Sequence, residues 1–190
     1  MITVKRYTPD LKDDLVNFIE EIKQYDLFNW SSYERLKTKK ITYFLAYYKN
    51  KIISINGCYN FRNNDWVLFT RQFTIPKYYN LLKREKHLWS KSIPSRFLAI
   101  PSLEYCLEHK ADGIYFFVNV EMEEGENNWY NGNYPTRHAA LMEKIGVAEY
   151  QGIYRINSVY QDLYKINVTR IRQVIGDLLA CPLRLNHDIT

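Results

Sequence analysis

The amino-acid sequence predicts a single domain of the α/β (α+β) class, with a central mixed sheet of about six to seven strands flanked by helices. Segments with strand and helix periodicity alternate along the chain. Residues 114–120, IYFFVNV, are nearly all apolar, as expected for a central strand buried on both faces. Residues 137–166 have the pattern of a helix, a glycine stop and a β-hairpin. A length of 190 residues suffices to bury a hydrophobic core.

The amino-terminal part of the chain predicts a strand followed by two helices. Residues 2–7 alternate as in a strand, and the Thr-Pro pair that follows is typical of a helix start. An apolar stripe at helical spacing then continues to Tyr25. The segment 31–34, SSYE, has the spacing of a capping box, which predicts a short second helix over 31–39.

Three runs rich in aromatic and β-branched residues come next, separated by turns that contain asparagine. Consecutive runs of this kind predict antiparallel neighbours in a sheet. We therefore expect a three-stranded meander that ends at Pro76 and covers residues 42–49, 52–61 and 66–75.

Helices are predicted between this meander and the apolar strand. The spacing of apolar residues predicts a helix over 79–89. Pro94 and Pro101 bracket a second helical stretch, because proline ends or begins helices. A third helix is predicted over 102–110, directly before an Asp-Gly stop.

The carboxyl-terminal part begins with a polar loop over 121–135 that carries four glutamates. A loop of this length is often functional. Gly146 is placed to end the following helix in the left-handed conformation. Residues 150–166 predict a hairpin, with Tyr150 and Tyr154 in the same phase of its alternation. Residues 169–180 predict a last helix, whose apolar face must be buried against this domain or a neighbour.

Charge and cysteine usage restrict the possible functions. The net charge is +5, and residues 77–96 carry six cations against one anion, which favours an anionic partner there. The three cysteines lack metal-ligand spacing, so no metal site is predicted. No segment has the apolar length of a membrane helix. We therefore expect a cytoplasmic protein without membrane contact, or one packaged in a particle.

The order of these elements resembles that of the GNAT superfamily of acyl-CoA-dependent N-acyltransferases. The resemblance includes the helix ending in EKIG and the hairpin YQGIYRINSVYQDLYKI. It implies a GNAT-like domain over 1–166, with a basic helical insertion at about 77–96 and an acidic loop at about 121–135, and a helical extension over 167–190. The implied activity uses acetyl-CoA or another acyl-CoA and a small-molecule or protein amine.

The resemblance also implies a cofactor site. In the family, a basic, glycine-rich loop before the helix that follows the fourth strand holds the cofactor pyrophosphate with its backbone N–H groups. The matching segment here is 93–98, IPSRFL, which contains none of the expected glycines. Ser95, Arg96 and Phe97 are the implied pyrophosphate-binding residues, and Asn119 is implied to contact the pantetheine arm.

The resemblance further implies a tyrosine that protonates the leaving thiolate, shortly before the glycine that ends the C-terminal helix. Met142 stands at that position, and a thioether has no proton to donate. Tyr150, Tyr154 and His138 are the candidate substitutes. Glu121, directly after the apolar strand, is the candidate general base.

Three functions remain open from the sequence. The first is the acyltransferase. The second is a GNAT-fold protein without catalytic activity that self-associates or joins a larger assembly such as a phage or viral particle; the missing glycines and Met142 favour it. The third is a nucleic-acid-binding module that uses residues 77–96, where cations alternate with aromatic residues.

Overall fold

A computed structural model gives the fold for residues 2–25, 40–79, 81–83, 93–119, 134–156, 159–180 and 184–185. A seven-stranded mixed sheet lies at its centre, with helices on both faces. The α-helices are α1 (Lys12–Ile22), α2 (Ile93–Glu108), α3 (Tyr134–Lys144) and α4 (Val168–Ala180). The strands are β1 (Thr3–Arg6), β2 (Thr42–Tyr48), β3 (Lys51–Arg62), β4 (Asp65–Thr74), β5 (Leu82–Lys83), β6 (Gly113–Asn119), β7 (Ala148–Ile156), β8 (Val159–Ile166) and β9 (Arg184–Leu185).

The strand order in the main sheet is β1-β2-β3-β4-β6-β8-β7. β1 to β4 are antiparallel neighbours, which confirms the predicted meander. β6 runs parallel to β4, and β8 pairs antiparallel with both β6 and β7. β6 is thus a central strand, in agreement with its apolar sequence. The predicted fold class, a mixed sheet flanked by helices, is confirmed.

The two faces of the sheet carry separate hydrophobic cores. α1 packs on one face, and α2, α3 and α4 pack on the other. β2 serves both cores, because its successive side chains point to opposite faces. Tyr43, Leu45 and Tyr47 join the α1 core, and Phe44, Ala46 and Tyr48 join the core under α2.

α2 is one continuous helix, where the sequence predicted a break between two. Pro101 lies inside it, so one backbone hydrogen bond is lost. The helix is supported there from the sheet: the Ser102 hydroxyl donates to the carbonyl of Leu98 at 2.6 Å, and Asn56 of β3 donates to the same hydroxyl at 2.9 Å. The segment 93–98 is therefore the first part of a helix and not a loop that precedes one.

The helix predicted over 79–89 is wrong at Leu82–Lys83, which form β5. This strand pairs with β9, far later in the chain, so no local pattern could reveal it. Leu81, directly before it, is buried in the core under α2. The remainder of that prediction, and the short helix predicted over 31–39, lie largely outside the described residues.

The carboxyl-terminal helices follow the predictions closely. α3 is followed by Gly146 in the left-handed conformation, with φ +73°. α4 buries Ile171, Ile175 and Leu178 in the core under α2, so its apolar face packs on this domain. No helix in the described part of the chain is long and apolar enough to cross a membrane.

Candidate functional site

β4 and β6 part from each other along their length. Their ladder contains three residue pairs, from Asp65 opposite Gly113 to Val67 opposite Tyr115. Beyond Val67 both strands continue, and the described ladder between them does not. β8 pairs with the other edge of β6 along this stretch. The facing edges of β4 and β6 therefore border a gap, and they present backbone N–H and C=O groups to it.

The parting begins beside a distorted residue of β4. Phe69 has φ +60°, in the left-handed region that is unfavourable for a bulky side chain. The register between β3 and β4 shifts at this residue, between Val67 and Thr70, and shifts again between Thr70 and Phe73, as in a β-bulge, which bends a strand. The ring of Phe69 meets Phe116 of β6 edge to face, with centroids 6.2 Å apart. Aromatic rings thus face each other where the gap opens.

α2 runs antiparallel to β4. Near the carboxyl end of α2, the rings of Tyr105 and His109 lie 5.8 and 5.5 Å from the ring of Trp66, at the start of β4. Closer to the amino end of α2, Ser102 contacts Asn56, which lies beside the middle of β4. The amino-terminal turn of α2 therefore lies toward the end of β4, where the gap is open.

This amino-terminal turn has the features of an anion-binding position. The first N–H groups of an α-helix lack partners within the helix, and the helix dipole is positive at that end. Pro94 has no N–H, so Ile93, Ser95 and Arg96 supply the donors of this turn. The Arg96 side chain is only 7% exposed and belongs to the interior of the domain. Phe97 is half-buried.

The buried polar side chains of the described residues are concentrated in this region. Five such residues occur, and all lie on β3, on β4 or in the first ten residues of α2. The hydroxyls of Ser54 and Thr74 are hydrogen-bonded at 2.7 Å, and Asn56 donates a hydrogen bond to Ser102 of α2. Arg96 is the fifth buried polar residue. Domain interiors are normally apolar, so we take this region and the gap as the candidate functional site.

A row of aromatic rings connects the gap to the edge of the sheet. Phe116 stacks on Tyr164 of β8 at 5.1 Å with ring planes 9° apart. Tyr150 of β7 contacts Tyr164 at 5.4 Å, and its hydroxyl lies 3.3 Å from Oδ1 of Asp162. Desolvation, followed by the Asp162 carboxylate, raises the pKa of both tyrosines above the usual value. Both hydroxyls are therefore protonated at neutral pH, and the raised pKa makes each a weaker acid than an exposed tyrosine.

Tyr150 and Tyr154 lie on opposite faces of the hairpin, so the prediction of one shared phase is wrong. The register between β7 and β8 shifts between Tyr150 and Gly152, which has φ +116°. A β-bulge there adds one residue and reverses the alternation beyond it. Tyr150 contacts Tyr164, whereas Tyr154 packs against the guanidinium of Arg62, 5.7 Å from its ring. Of the two tyrosines, only Tyr150 belongs to the aromatic row.

The remaining predicted site residues are Asn119, His138 and Glu121. Asn119 ends β6 at the open end of the gap and lies opposite Gln161 of β8. His138 lies on α3, and Glu121 lies outside the described residues. Met142 is buried in the core, so α3 offers no proton donor at that position.

Sequence reasoning missed the buried polar residues Ser54, Asn56, Thr74 and Ser102, and it missed Tyr164. Asn56 interrupts the apolar run IISINGC, and a polar residue inside a buried strand was a usable signal. No signal in the sequence indicated that Tyr164 lies near the gap, because its position depends on the pairing of β8 with β6.

Lys77, Lys83 and Arg96 are the cations of the basic segment 77–96 that lie among the described residues. Lys77 pairs with Glu21 of α1 at 2.6 Å, and Arg96 is buried. Most of the other cations of this segment lie outside the described residues. Within the described ranges, no group of three His, Cys, Asp or Glu residues is placed to hold a metal ion.

Comparison with known proteins identifies the fold. No protein-family model matches the sequence, and no curated protein sequence matches it. The aminoglycoside 6′-N-acetyltransferase from Enterococcus faecium matches with a TM-score of 0.56 at 12% identity, over 87% of this chain and 97% of that chain. A Desulfovibrio desulfuricans protein assigned to the GNAT family matches with a TM-score of 0.57 at 12% identity, over 88% and 99%. The PaiA N-acetyltransferase from Thermoplasma acidophilum, in complex with coenzyme A, matches with a TM-score of 0.50 at 12% identity, over 87% and 99%.

The domain belongs to the α/β class: its open mixed sheet has helices on both faces, and the parallel neighbours β4 and β6 part from each other. These matches, which span nearly the whole length of each solved chain, show that the particular fold is that of the GNAT acetyltransferases. The predicted resemblance is confirmed at the level of the fold.

Proposed function

We propose that the protein is an acyl-CoA-dependent N-acyltransferase. The observation that carries the proposal is the gap between β4 and β6, which opens at the same end of the domain as the amino-terminal turn of α2. An anionic group at the helix end and an extended arm along the open strand edges would occupy both features at once. We further propose that residues 1–166 are the GNAT-like domain and that 167–190 are an extension packed on it.

The residues at these two features fit an acyl-CoA. The N–H groups of Ile93, Ser95 and Arg96, with the positive end of the α2 dipole, suit a pyrophosphate. The open edges of β4 and β6 suit the amides of a pantetheine arm, and Asn119 lies at the open end of β6. Without glycines at the helix start, phosphates approach the backbone less closely. We therefore expect binding to depend strongly on Arg96.

Proton transfer is the chemical task that the chain itself must perform. Bound acyl-CoA would supply an acyl thioester. Transfer of its acyl group to the amine forms an amide C–N bond and breaks the C–S bond. The thiolate that leaves takes up a proton, and the amine loses one. Tyr150 and Tyr164 hold protonated hydroxyls in the row that ends at the gap. Tyr154 and His138 stay alternative proton donors, and Glu121 stays the proposed base for the amine.

The acceptor is proposed to be a small-molecule or protein amine. The match to an aminoglycoside N-acetyltransferase makes a polyhydroxylated amine a sensible first compound to test. We propose a cytoplasmic location, because the substrates of this reaction are water-soluble.

Isothermal titration with acetyl-CoA and with CoA tests the proposal. We expect micromolar binding, and we expect Arg96→Met to weaken it by about tenfold or more, since it removes a charge-assisted hydrogen bond. Because Arg96 is buried, a thermal melt must show that the variant is folded. Arg172→Met is the matched control: Arg172 lies on α4, is half-exposed and pairs with Glu104 of α2 at 2.6 Å. We expect it to bind CoA as the wild type does.

A GNAT-fold protein without catalysis is the second candidate function. It is favoured by the buried Met142, which occupies the position of the family's proton donor, and by the absence of glycines in 93–98. Such a protein would act through self-association or a larger assembly. No heat on titration with millimolar acetyl-CoA, with the protein folded, would decide for this candidate. Nucleic-acid binding through 77–96 is a third candidate function; of its cations, Lys77 pairs with Glu21 of α1 at 2.6 Å while remaining half-exposed.

A further inference from the structure

Ser102 determines which way the Asn56 amide points. The Ser102 hydroxyl has one proton, which it donates to the carbonyl of Leu98 at 2.6 Å. The hydroxyl oxygen can then only accept, so the Asn56 group 2.9 Å away is its NH₂. The Asn56 oxygen points elsewhere, is fully buried, and has no hydrogen-bond donor among the described residues.

Gln72 places a second unpaired group on the same face of the sheet. In the β3–β4 ladder Ile55 lies opposite Phe73 and Gly57 lies opposite Thr70, with a register shift between the two pairs, so Asn56 stands against Arg71 and Gln72 together. Phe73 packs in the α1 core, and alternation therefore directs Gln72 to the α2 side, where Asn56 also points. Its Nε2 is buried and has no acceptor in the described part of the chain.

An unpaired acceptor and an unpaired donor, as far as the described residues show, thus lie on neighbouring strands and on the same face of the sheet. Each lowers the stability of the fold, and such groups in a native interior call for a functional explanation. Gln72 lies beyond Val67, the last residue of β4 that pairs with β6, so it is on the stretch of β4 that borders the gap. The two atoms are therefore within the candidate site, and no hydrogen bond to another described residue uses them.

We infer that Asn56 Oδ1 and Gln72 Nε2 together bind a neutral ligand group that both donates and accepts a hydrogen bond at one atom, namely a hydroxyl. The hydroxyl proton donates to Asn56 Oδ1, and the hydroxyl oxygen accepts from Gln72 Nε2. A trans amide satisfies only one of the two atoms, because its N–H and C=O point in opposite directions. An ammonium or a carboxylate satisfies only one of the two atoms, so the pair selects a neutral group. The inference rests on the proposed function and makes these two residues determinants of specificity.

Two sources could supply such a group: the hydroxyl of the acyl donor's pantetheine arm, or a hydroxyl of the acceptor. Gln72→Met tests both sources, because methionine preserves the length of the side chain and lacks the amide group that can form hydrogen bonds. Gln24→Met, the same change on the exposed turn after α1, is the matched control. The ligands to titrate are CoA and 3′,5′-ADP, which lacks the pantetheine arm. The KM for kanamycin, a polyhydroxylated amine, is measured with acetyl-CoA.

We expect Gln72→Met to weaken CoA binding by about 3- to 10-fold, the effect of one neutral hydrogen bond, with the affinity for 3′,5′-ADP unchanged. That result assigns the group to the pantetheine arm. Unchanged CoA affinity with a raised KM for kanamycin assigns it to the acceptor. In both cases the melting temperature of the variant equals or exceeds that of the wild type, because an unpaired buried donor has been removed. Asn56→Leu, which removes the acceptor, gives the same loss of affinity.

A purely structural role gives a different result. Such a role predicts that Gln72→Met lowers the melting temperature and leaves CoA affinity unchanged. It also predicts that kanamycin acetylation by the variant equals that of the wild type, including the case in which neither acetylates kanamycin. This result overturns the inference and leaves the proposed function standing. If the folded wild type binds neither CoA nor 3′,5′-ADP, both the proposed function and the inference are overturned.

Discussion

Replacement of Ile175 by alanine tests whether α4 is a docked part of the domain. Ile175 is fully buried on α4, in the same core as Leu103 of α2 and Ile166 of β8. The change removes three buried carbon groups. At about 0.8 kcal/mol each, their transfer to water accounts for about 2.4 kcal/mol. The cavity left behind raises the expected loss of unfolding free energy to about 3–4 kcal/mol.

The neighbouring residue provides a control of opposite sign. Gly176 lies inside α4, and a methyl group added there would meet no atom within 4 Å. Gly176→Ala should therefore raise the unfolding free energy by about 0.5–1 kcal/mol, because alanine has less backbone entropy to lose. Urea unfolding followed by tryptophan fluorescence measures both variants.

The result that refutes this reasoning is a loss below about 0.5 kcal/mol for Ile175→Ala, the level of an exposed substitution. A loss that grows with protein concentration would also contradict it, because the apolar face of α4 would then be covered by a second copy. We expect the same loss at every concentration.

Three further changes test particular contacts. Gly57→Ala should cost about 1–3 kcal/mol in urea unfolding, since the new Cβ would lie 2.9 Å from the carbonyl oxygen of Thr70; an unchanged midpoint would contradict the packing. Gly152→Ala should cost about 1–2 kcal/mol through backbone strain alone, because its φ is +116° and the space around it is open; a stabilised variant would exclude the bulge. The buried Tyr47 hydroxyl donates to Asp14 at 3.0 Å, and burial, followed by that carboxylate, raises its pKa above the usual value of 10.0. The folded state thus holds this proton more tightly, so its contribution to stability is complete below about pH 10 and is lost above it. The unfolding free energy of Tyr47→Phe should fall less steeply above about pH 10 than that of the wild type, and equal slopes in a pH series would refute this.

The parts of the fold that are determined by residues close together in the sequence were predictable. Gly146 ends α3 because its own lack of a Cβ allows the left-handed conformation, and the apolar sequence of β6 follows from its central place in the sheet. Pro101 shows where a local rule fails. The sequence predicts a break there, but contacts from Ser102 and Asn56 support the helix through it.

The candidate site was less predictable, because it depends on distances between strands. The gap begins beside a bulge at Phe69, an aromatic residue that no turn rule places in the left-handed region. The bulge at Gly152 reverses the phase of the hairpin, so alternation alone gave Tyr154 the wrong face. β5 is two residues long and depends on a partner near the end of the chain.

The place of β8 between β6 and β7 has a consequence for synthesis on the ribosome. β7 is made before the strand that attaches it to the sheet, and β6 is made well before either. Until β8 has emerged, β6 has only the three-residue ladder with β4, and Phe116 lacks the Tyr164 ring on which it stacks. The nascent chain therefore carries an apolar strand with an open edge, which is prone to wrong pairing. The sheet closes only when the hairpin is complete, so folding of this half of the domain is delayed to the end of its synthesis.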